Sequence, residues 1–175
     1  MGTTANRKTA IQLGCLTIRA PIDDLHLIAS ATGLVEILWK ERAVPVEALR
    51  VRPGDERFPV LGMAAEQLAE YFAGTRASFH IPLDLRGTAF QLRVWEQLQN
   101  IPYGETCSYL DIARRLGDEK ATRAVGAANG RNPIPVVIPC HRVIGTNGSL
   151  TGFGGGIQRK QLLLELEGHP RRLFI

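Results

Sequence analysis

Apolar and polar residues alternate along the early part of the chain. Ile11, Leu13, Leu16 and Ile18 form one such run, with a phase break at Gly14; Leu25, Leu27 and Ala29 form a second, and Val35, Ile37 and Trp39 a third beyond Ala31-Thr32-Gly33. A period of two is the mark of a strand with one buried face, so the pattern predicts three antiparallel strands. The polar, proline-containing stretch from Glu41 to Pro59 reads as loop. Leu61, Ala64, Ala65, Leu68, Tyr71 and Phe72 then recur at helical spacing and stop before Gly74, which predicts an amphipathic helix. Phe79, Ile81, Leu83 and Leu85 alternate again, as a short strand or an extended linker running into Arg86-Gly87.

From Thr88 onward the period changes. Thr88 with Gln91 makes a capping box ahead of Phe90, Val94, Trp95 and Leu98, and this helix ends at Ile101-Pro102-Tyr103-Gly104. Ser108 with Asp111 opens a short helix (Ile112, Ala113, Leu116) closed by Gly117, and Ala121 to Ala128 gives another. Two short helices around a tight turn fit a helix-turn-helix or an ordinary helical hairpin. The second helix carries almost only Ala, Gly, Thr and Arg123. A helix reading the major groove normally presents several long polar side chains. So smooth a surface suits a backbone or a shallow minor groove, with Arg123 as the one reaching group.

Composition narrows the classes. At 175 residues with 45% hydrophobic and 22% charged residues, the chain is globular in character, long enough for one domain or two small ones at roughly 100–200 residues per domain. No apolar run nears the roughly 18 residues of a membrane span, and Met1 to Thr9 lacks the apolar core of a signal peptide, so a cytoplasmic protein with no membrane partner is expected. Residues 1–87 hold ten Lys+Arg against ten Asp+Glu, and residues 88–175 eleven against seven, so the whole net charge of +4 falls in the second half. Such a bias suits a polyanion partner for that half. Cys15, Cys107 and Cys140 are odd in number and widely spaced, which favours free thiols over disulfides or CxxC zinc spacing.

The densest chemistry lies in Asn132-Pro-Ile-Pro-Val-Val-Ile-Pro-Cys-His-Arg-Val143. Val136-Val137-Ile138 reads as buried strand or core, and Pro139 stiffens the chain before Cys140 and His141. A thiol beside an imidazole is either a nucleophile with its base or a structural cysteine beside a core histidine. Downstream stand an Asn147-Gly148 turn, the glycine-rich loop Gly152-Phe153-Gly154-Gly155-Gly156 and a helix from Ile157 to Glu167 ending at Gly168.

Pro139-Cys140-His141-Arg142-Val143, preceded by Asn132-Pro133 and followed by the glycine loop and Leu163-Leu164-Glu165-Leu166-Glu167-Gly168, resembles the O6-alkylguanine-DNA alkyltransferase family, in its short bacterial form. The likeness is strong from about Thr88 to Gly168 and looser before it. It implies an α/β protein in two parts: a ribonuclease H-like α/β domain over residues 1–84, a linker near 85–87, and a mainly helical, winged-helix-like domain with a helix-turn-helix over 88–175. The implied activity is irreversible, single-use transfer of an alkyl group from guanine O6, with O4-alkylthymine as a further candidate substrate, to Cys140. No cofactor is implied.

The same resemblance implies that His141 acts through a water as base toward the thiol, that Glu167 orients the imidazole and that Asn132 supports the surrounding turns. Tyr109 would donate a proton to guanine N3. Contacts to double-stranded DNA are implied for Thr122, Arg123, Ala124, Gly126, Ala127, Tyr109 and Arg142, with Arg123 filling the stack vacated by a flipped nucleotide. The base pocket would use Tyr109, Val143, Phe153, Gly154 and Gly155. Phe153 stands where many members have Tyr, so ring stacking remains without a hydroxyl contact. Some members hold zinc in the first domain, but Cys15, His26 and His80 do not form the needed set, so no metal is expected; Cys107 reads as packing, and the chain as a monomer. Related proteins that bind lesions without repairing them lack the cysteine, and Cys140 decides for repair. A regulator fused to a sensor segment would need a longer chain. A cysteine hydrolase would draw its histidine from elsewhere than the next residue.

Overall fold

The computed structural model describes residues 11–169; the polar start at residues 1–9 lies outside them. The first part is a four-stranded sheet of β1 (Leu13–Ala20), β2 (Asp23–Ala29), β3 (Leu34–Trp39) and β4 (Ala48–Arg50), in the order β3-β2-β1-β4. The three strands expected to be antiparallel are so, with Leu16 opposite Leu27 and Leu25 opposite Trp39. The stretch expected to be loop holds β4, which pairs parallel with β1 through Leu13–Cys15. Three residues of pairing between Pro45 and Pro53 are too short for a periodic signal.

The phase break at Gly14 is a change of face. Leu16, Leu25, Leu27, Ala29, Ile37 and Trp39 face the main core, whereas Cys15, Ile28 and Leu38 form a small cluster on the other side, with Leu13 packed against it. Gly14 takes an inward position covered by the Phe58 ring, and a β-carbon there would lie 2.5 Å from it. Helix α1 (Pro59–Phe72) lays Val60, Leu61, Ala64, Leu68 and Tyr71 on the inner face. The segment after it is extended and docks on β3 at one point: Leu34 N donates to the Pro82 carbonyl at 2.8 Å and Asp84 N to the Leu34 carbonyl at 2.9 Å.

Helix α2 (Ala89–Gln99) and α3 (Tyr109–Arg115) both start with the expected capping boxes: Gln91 N donates to Thr88 Oγ1 at 3.2 Å and Asp111 N to Ser108 Oγ at 3.1 Å. Gly117 closes α3 at φ 85°, a left-handed conformation that suits glycine. A 3-10 turn at Glu119–Ala121 leads into α4 (Thr122–Gly130), so the regular helix starts one residue later and runs two further than the periodicity predicts. Trp95 Nε1 donates to the Ala128 carbonyl at 2.9 Å and ties α2 to α4.

Val136-Val137-Ile138 is core, not strand. Pro135 and Ile138 bridge a tight turn with Val136 at φ 76°, a strained value for a β-branched residue. A 3-10 turn at Cys140–Arg142 follows, then β6 (Val143–Ile144), parallel to β5 (Cys107–Ser108), and finally α5 (Ile157–Leu166). One core runs through both parts, from Leu27 and Tyr71 to Val94, Ile138 and Leu163. Ile37 N also donates to the Pro133 carbonyl at 2.9 Å, so the sheet edge holds the turn that leads to Cys140. Among the described residues no helix is long and apolar enough to cross a membrane, and no group of three His, Cys, Asp or Glu could hold a metal.

Candidate active site and nucleic-acid interface

Cys140 is 2% exposed and sits on the 3-10 turn that Pro139 introduces. The Asn132 amide shapes this turn: its Nδ2 donates to the Ile138 carbonyl at 2.8 Å, and its Oδ1 accepts from Ile134 N at 3.0 Å. Burial pushes the thiol pKa up to about 11; a hydrogen bond from Asn132 and the charge of Lys160 act in the opposite direction. Cys140 is therefore a thiol at neutral pH, and needs a proton acceptor to become a nucleophile.

The adjacent histidine is built for that. His141 is fully buried, and its Nε2 lies 2.9 Å from Glu167 Oε1. Glu167 is ionised, held well below the ordinary carboxylate range by hydrogen bonds from His141 and Arg142 that outweigh its burial. It can only accept, so Nε2 carries the proton and Nδ1 the basic lone pair. Burial lowers the His141 pKa and keeps the ring neutral. Nδ1 is buried and meets no protein hydrogen-bonding group among the described residues. The imidazole is thus oriented by a carboxylate at one nitrogen and basic at the other.

Glu167 collects more donors than the sequence suggests. Besides His141 it accepts from Tyr71 Oη at 2.6 Å, Arg142 Nε at 2.8 Å, Arg142 Nη2 at 2.9 Å and Gly104 N at 3.2 Å. This corrects the expectation for Arg142. Arg142 is 5% exposed, and its guanidinium is bidentate on Glu167 and bonded to the Ile101 carbonyl at 2.6 Å, so it faces inward and cannot reach DNA. Tyr71 and the Gly104 amide are the members of this network that sequence reasoning missed; 96 residues separate Tyr71 from Glu167, and its place on the apolar stripe of α1 marked it only as core.

Lys160 was missed too. It is fully buried on α5, and its Nζ donates to the Val143 and Thr151 carbonyls, the latter at 2.7 Å. Burial lowers its pKa to about 8, and a thiolate at Cys140 would raise it again. A lysine on the inner face of an otherwise ordinary helix is the available sequence signal. The expectation for Val143 needs correcting as well: its side chain is buried in the core, and only its carbonyl takes part in the site.

A cavity of about 380 Å³ opens over Cys140, lined by Asn129, Asn132, Pro135, Phe153, Gly154 and Gly155, with Trp39 forming a wall from the first sheet. Phe153 meets Trp39 edge-on, with ring centroids 6.1 Å apart, and Arg159 lies 4.7 Å over the same indole while pairing with Glu41 and Asp23. Gly155 lies flat against Trp39, where a β-carbon would come within 2.6 Å. Tyr109 is beside this cavity and not in its lining: its hydroxyl donates to the Thr151 carbonyl at 2.6 Å and presses on Gly152.

On the outer side, α4 exposes Arg123, Ala124 and Ala127, with Thr122 and Gly126 half-buried, while Val125, Ala128 and Asn129 turn inward. Arg123 makes no ion pair among the described residues, whereas Arg114 is engaged by Glu119 and Asp111. Cys107 is half-buried in β5, away from the cavity.

Comparison with known proteins agrees with this arrangement. The model of the 6-O-methylguanine DNA methyltransferase ribonuclease-like domain matches residues 15–85, and that of the DNA binding domain of the same enzyme matches residues 89–169. A methylated-DNA–protein-cysteine methyltransferase of Mycobacterium tuberculosis is 49% identical over 151 residues, 86% of this chain and 90% of the relative. The constitutive enzyme of Bacillus subtilis is 48% identical over 130 residues, 74% of each chain. The crystal structure of the Mycobacterium tuberculosis O6-methylguanine methyltransferase superposes with a TM-score of 0.81 at 44% identity, covering 91% of this chain and 96% of that one. The same organism's protein in complex with DNA gives 0.80 at 47% identity, covering 88% and 92%. With its two-part fold, its buried thiol beside a carboxylate-oriented imidazole and both matching domains, the chain belongs to the methylated-DNA–protein-cysteine methyltransferase family.

Proposed function

We propose that this protein repairs DNA by transferring an alkyl group from guanine O6 to Cys140, once per molecule. The observation that carries the reading is the buried row of Cys140, His141 and Glu167, in which an ionised carboxylate leaves the basic imidazole nitrogen facing no protein partner. His141 Nδ1 takes the thiol proton through a water, and Sγ attacks the alkyl carbon. The S–C bond forms, the C–O6 bond breaks, and its electron pair stays on the base. Tyr109, released from the Thr151 carbonyl, gives a proton to guanine N3 and is reprotonated from the imidazolium through solvent. Overall the thiol proton ends on guanine, and Cys140 ends as a thioether. Lys160 contributes a buried positive charge that favours the thiolate.

A sulfur so buried cannot meet O6 inside a stacked duplex, so the nucleotide is extruded. The smooth face of α4 follows the minor groove, and the free guanidinium of Arg123 fills the gap. The test is intact-mass spectrometry after incubation with an oligonucleotide containing O6-methylguanine. One methyl replacing one hydrogen adds about 14 Da. The gain is expected on the Cys140 peptide alone and absent from Cys140→Ser, which still binds DNA. A methyl adduct on any other residue, or on the serine variant, refutes the assignment.

A further inference from the structure

Tyr71 stands one residue before the end of α1, in the first part of the fold, and is 0% exposed. Its hydroxyl donates at 2.6 Å to Glu167 Oε1, the same oxygen that His141 Nε2 meets at 2.9 Å and Arg142 Nη2 at 2.9 Å. Arg142 Nε and Gly104 N take the other oxygen, so among the described donors to this carboxylate only Tyr71 comes from the sheet domain. Its ring packs against Phe72 and Phe79, each with centroids 5.4 Å away, and against Tyr103 at 6.0 Å. Tyr103 in turn donates to the carbonyl of Leu166, the residue before Glu167, at 3.0 Å. Burial and the adjacent Glu167 charge push the Tyr71 pKa up, so the phenol keeps its proton. A phenylalanine would fill the same place on the apolar stripe of α1; what the hydroxyl adds is its bond to the carboxylate.

We propose that Tyr71 is a positioning residue for alkyl transfer: its hydroxyl holds Glu167 Oε1 in place against His141 and draws charge from it, so that the first domain sets the direction and strength of the base beside Cys140. The proposal rests on the alkyl-transfer reading above. A hydrogen bond donated to a carboxylate favours its ionised form and lowers its affinity for a further proton. Oε1 therefore pulls less strongly on the proton of Nε2, the imidazolium is less stabilised, and the ring stays neutral, with Nδ1 able to accept, down to a lower pH. The other charged and titratable groups around this pair are Arg142 and Cys140 on the turn of His141 itself, Lys160 on α5 and Tyr103 from the loop after α2. Arg142 and Lys160 act on the ring in the same direction as Tyr71, through their charge. Tyr71 acts without one, so Tyr71→Phe removes a hydrogen bond and leaves the charge balance of the buried site intact.

The experiment follows the full chain, wild type and Tyr71→Phe, across pH with two readouts: single-turnover methyl transfer from a duplex carrying O6-methylguanine, and NMR titration of the His141 ring nitrogens without DNA. In Tyr71→Phe the acid limb of the rate profile and the ring titration are both expected to move up by about one pH unit. Transfer is then about tenfold slower on the acid side of the limb and within about threefold of wild type above it. A purely structural Tyr71 would slow transfer alike at every pH, and an unmoved limb or an unmoved ring titration overturns the proposal. If Tyr71→Phe does not fold, 3-fluorotyrosine at position 71 decides: it keeps the ring, makes the hydroxyl a stronger donor, and is expected to move both readouts down, so unmoved values overturn the proposal. Failure of wild type to take a methyl group defeats the alkyl-transfer reading instead, and the ring titration still decides whether Tyr71 tunes His141.

Discussion

Glu167→Gln tests whether the carboxylate under His141 also holds the fold together. It removes the charge that faces the guanidinium of the buried Arg142, which is bonded to it at 2.8 and 2.9 Å. One of the two glutamine atoms must then be an NH2, set against donors from Arg142, His141, Tyr71 or Gly104. Removing one partner of a buried pair costs about 3–5 kcal/mol, a large share of the roughly 5–15 kcal/mol that holds a domain folded. For a chain of this size that is a fall in Tm of roughly 6–20 °C. Urea and thermal denaturation read it, with the fluorescence of the buried Trp39 and Trp95 as probes. Adding Arg142→Met removes the orphaned charge, so the double variant is expected to be more stable than the sum of the two single losses. A loss below about 1 kcal/mol for Glu167→Gln, or strict additivity in the double variant, refutes the account.

Three further outcomes follow from the geometry. Arg123→Ala should slow repair of methylated duplex more than repair of free O6-methylguanine, which needs no extrusion, and should change the salt dependence of binding by about one charge; equal slowing on both substrates would return Arg123 to a structural role. Gly155→Ala puts a β-carbon 2.6 Å from Trp39 and 2.7 Å from Phe153, so a stability loss of about 1–3 kcal/mol and slower alkyl transfer are expected, and a neutral result in both measurements would contradict the packing. The Glu167 pKa is lower in the folded state than its ordinary value of 4.5, so its contribution is complete above that pH and is lost as pH falls toward the folded value. Acid titration of Glu167→Gln should show a shallower loss of stability below about pH 4.5 than wild type.

Local rules made much of this protein legible. Alternation found the three antiparallel strands, side-chain caps placed α2 and α3, and Gly117 marked the turn between the helix-turn-helix helices, because each depends on residues within a few positions of one another. The Cys140-His141 pair and the smooth α4 were visible for the same reason. What the local pattern did not carry was every contact made across the chain. β4 is too short to show a period, and Val136-Val137-Ile138 is apolar enough for a strand but turns because burial on all sides outweighs an unfavourable φ at Val136. The family resemblance implied a DNA contact for Arg142. Only folding shows that Glu167, the Tyr103 ring and the Ile101 carbonyl surround it, and that a charged group so enclosed must pair inward. Lys160 and Trp39 were hidden likewise, since burial and partner count belong to the packed molecule and to no stretch of its sequence.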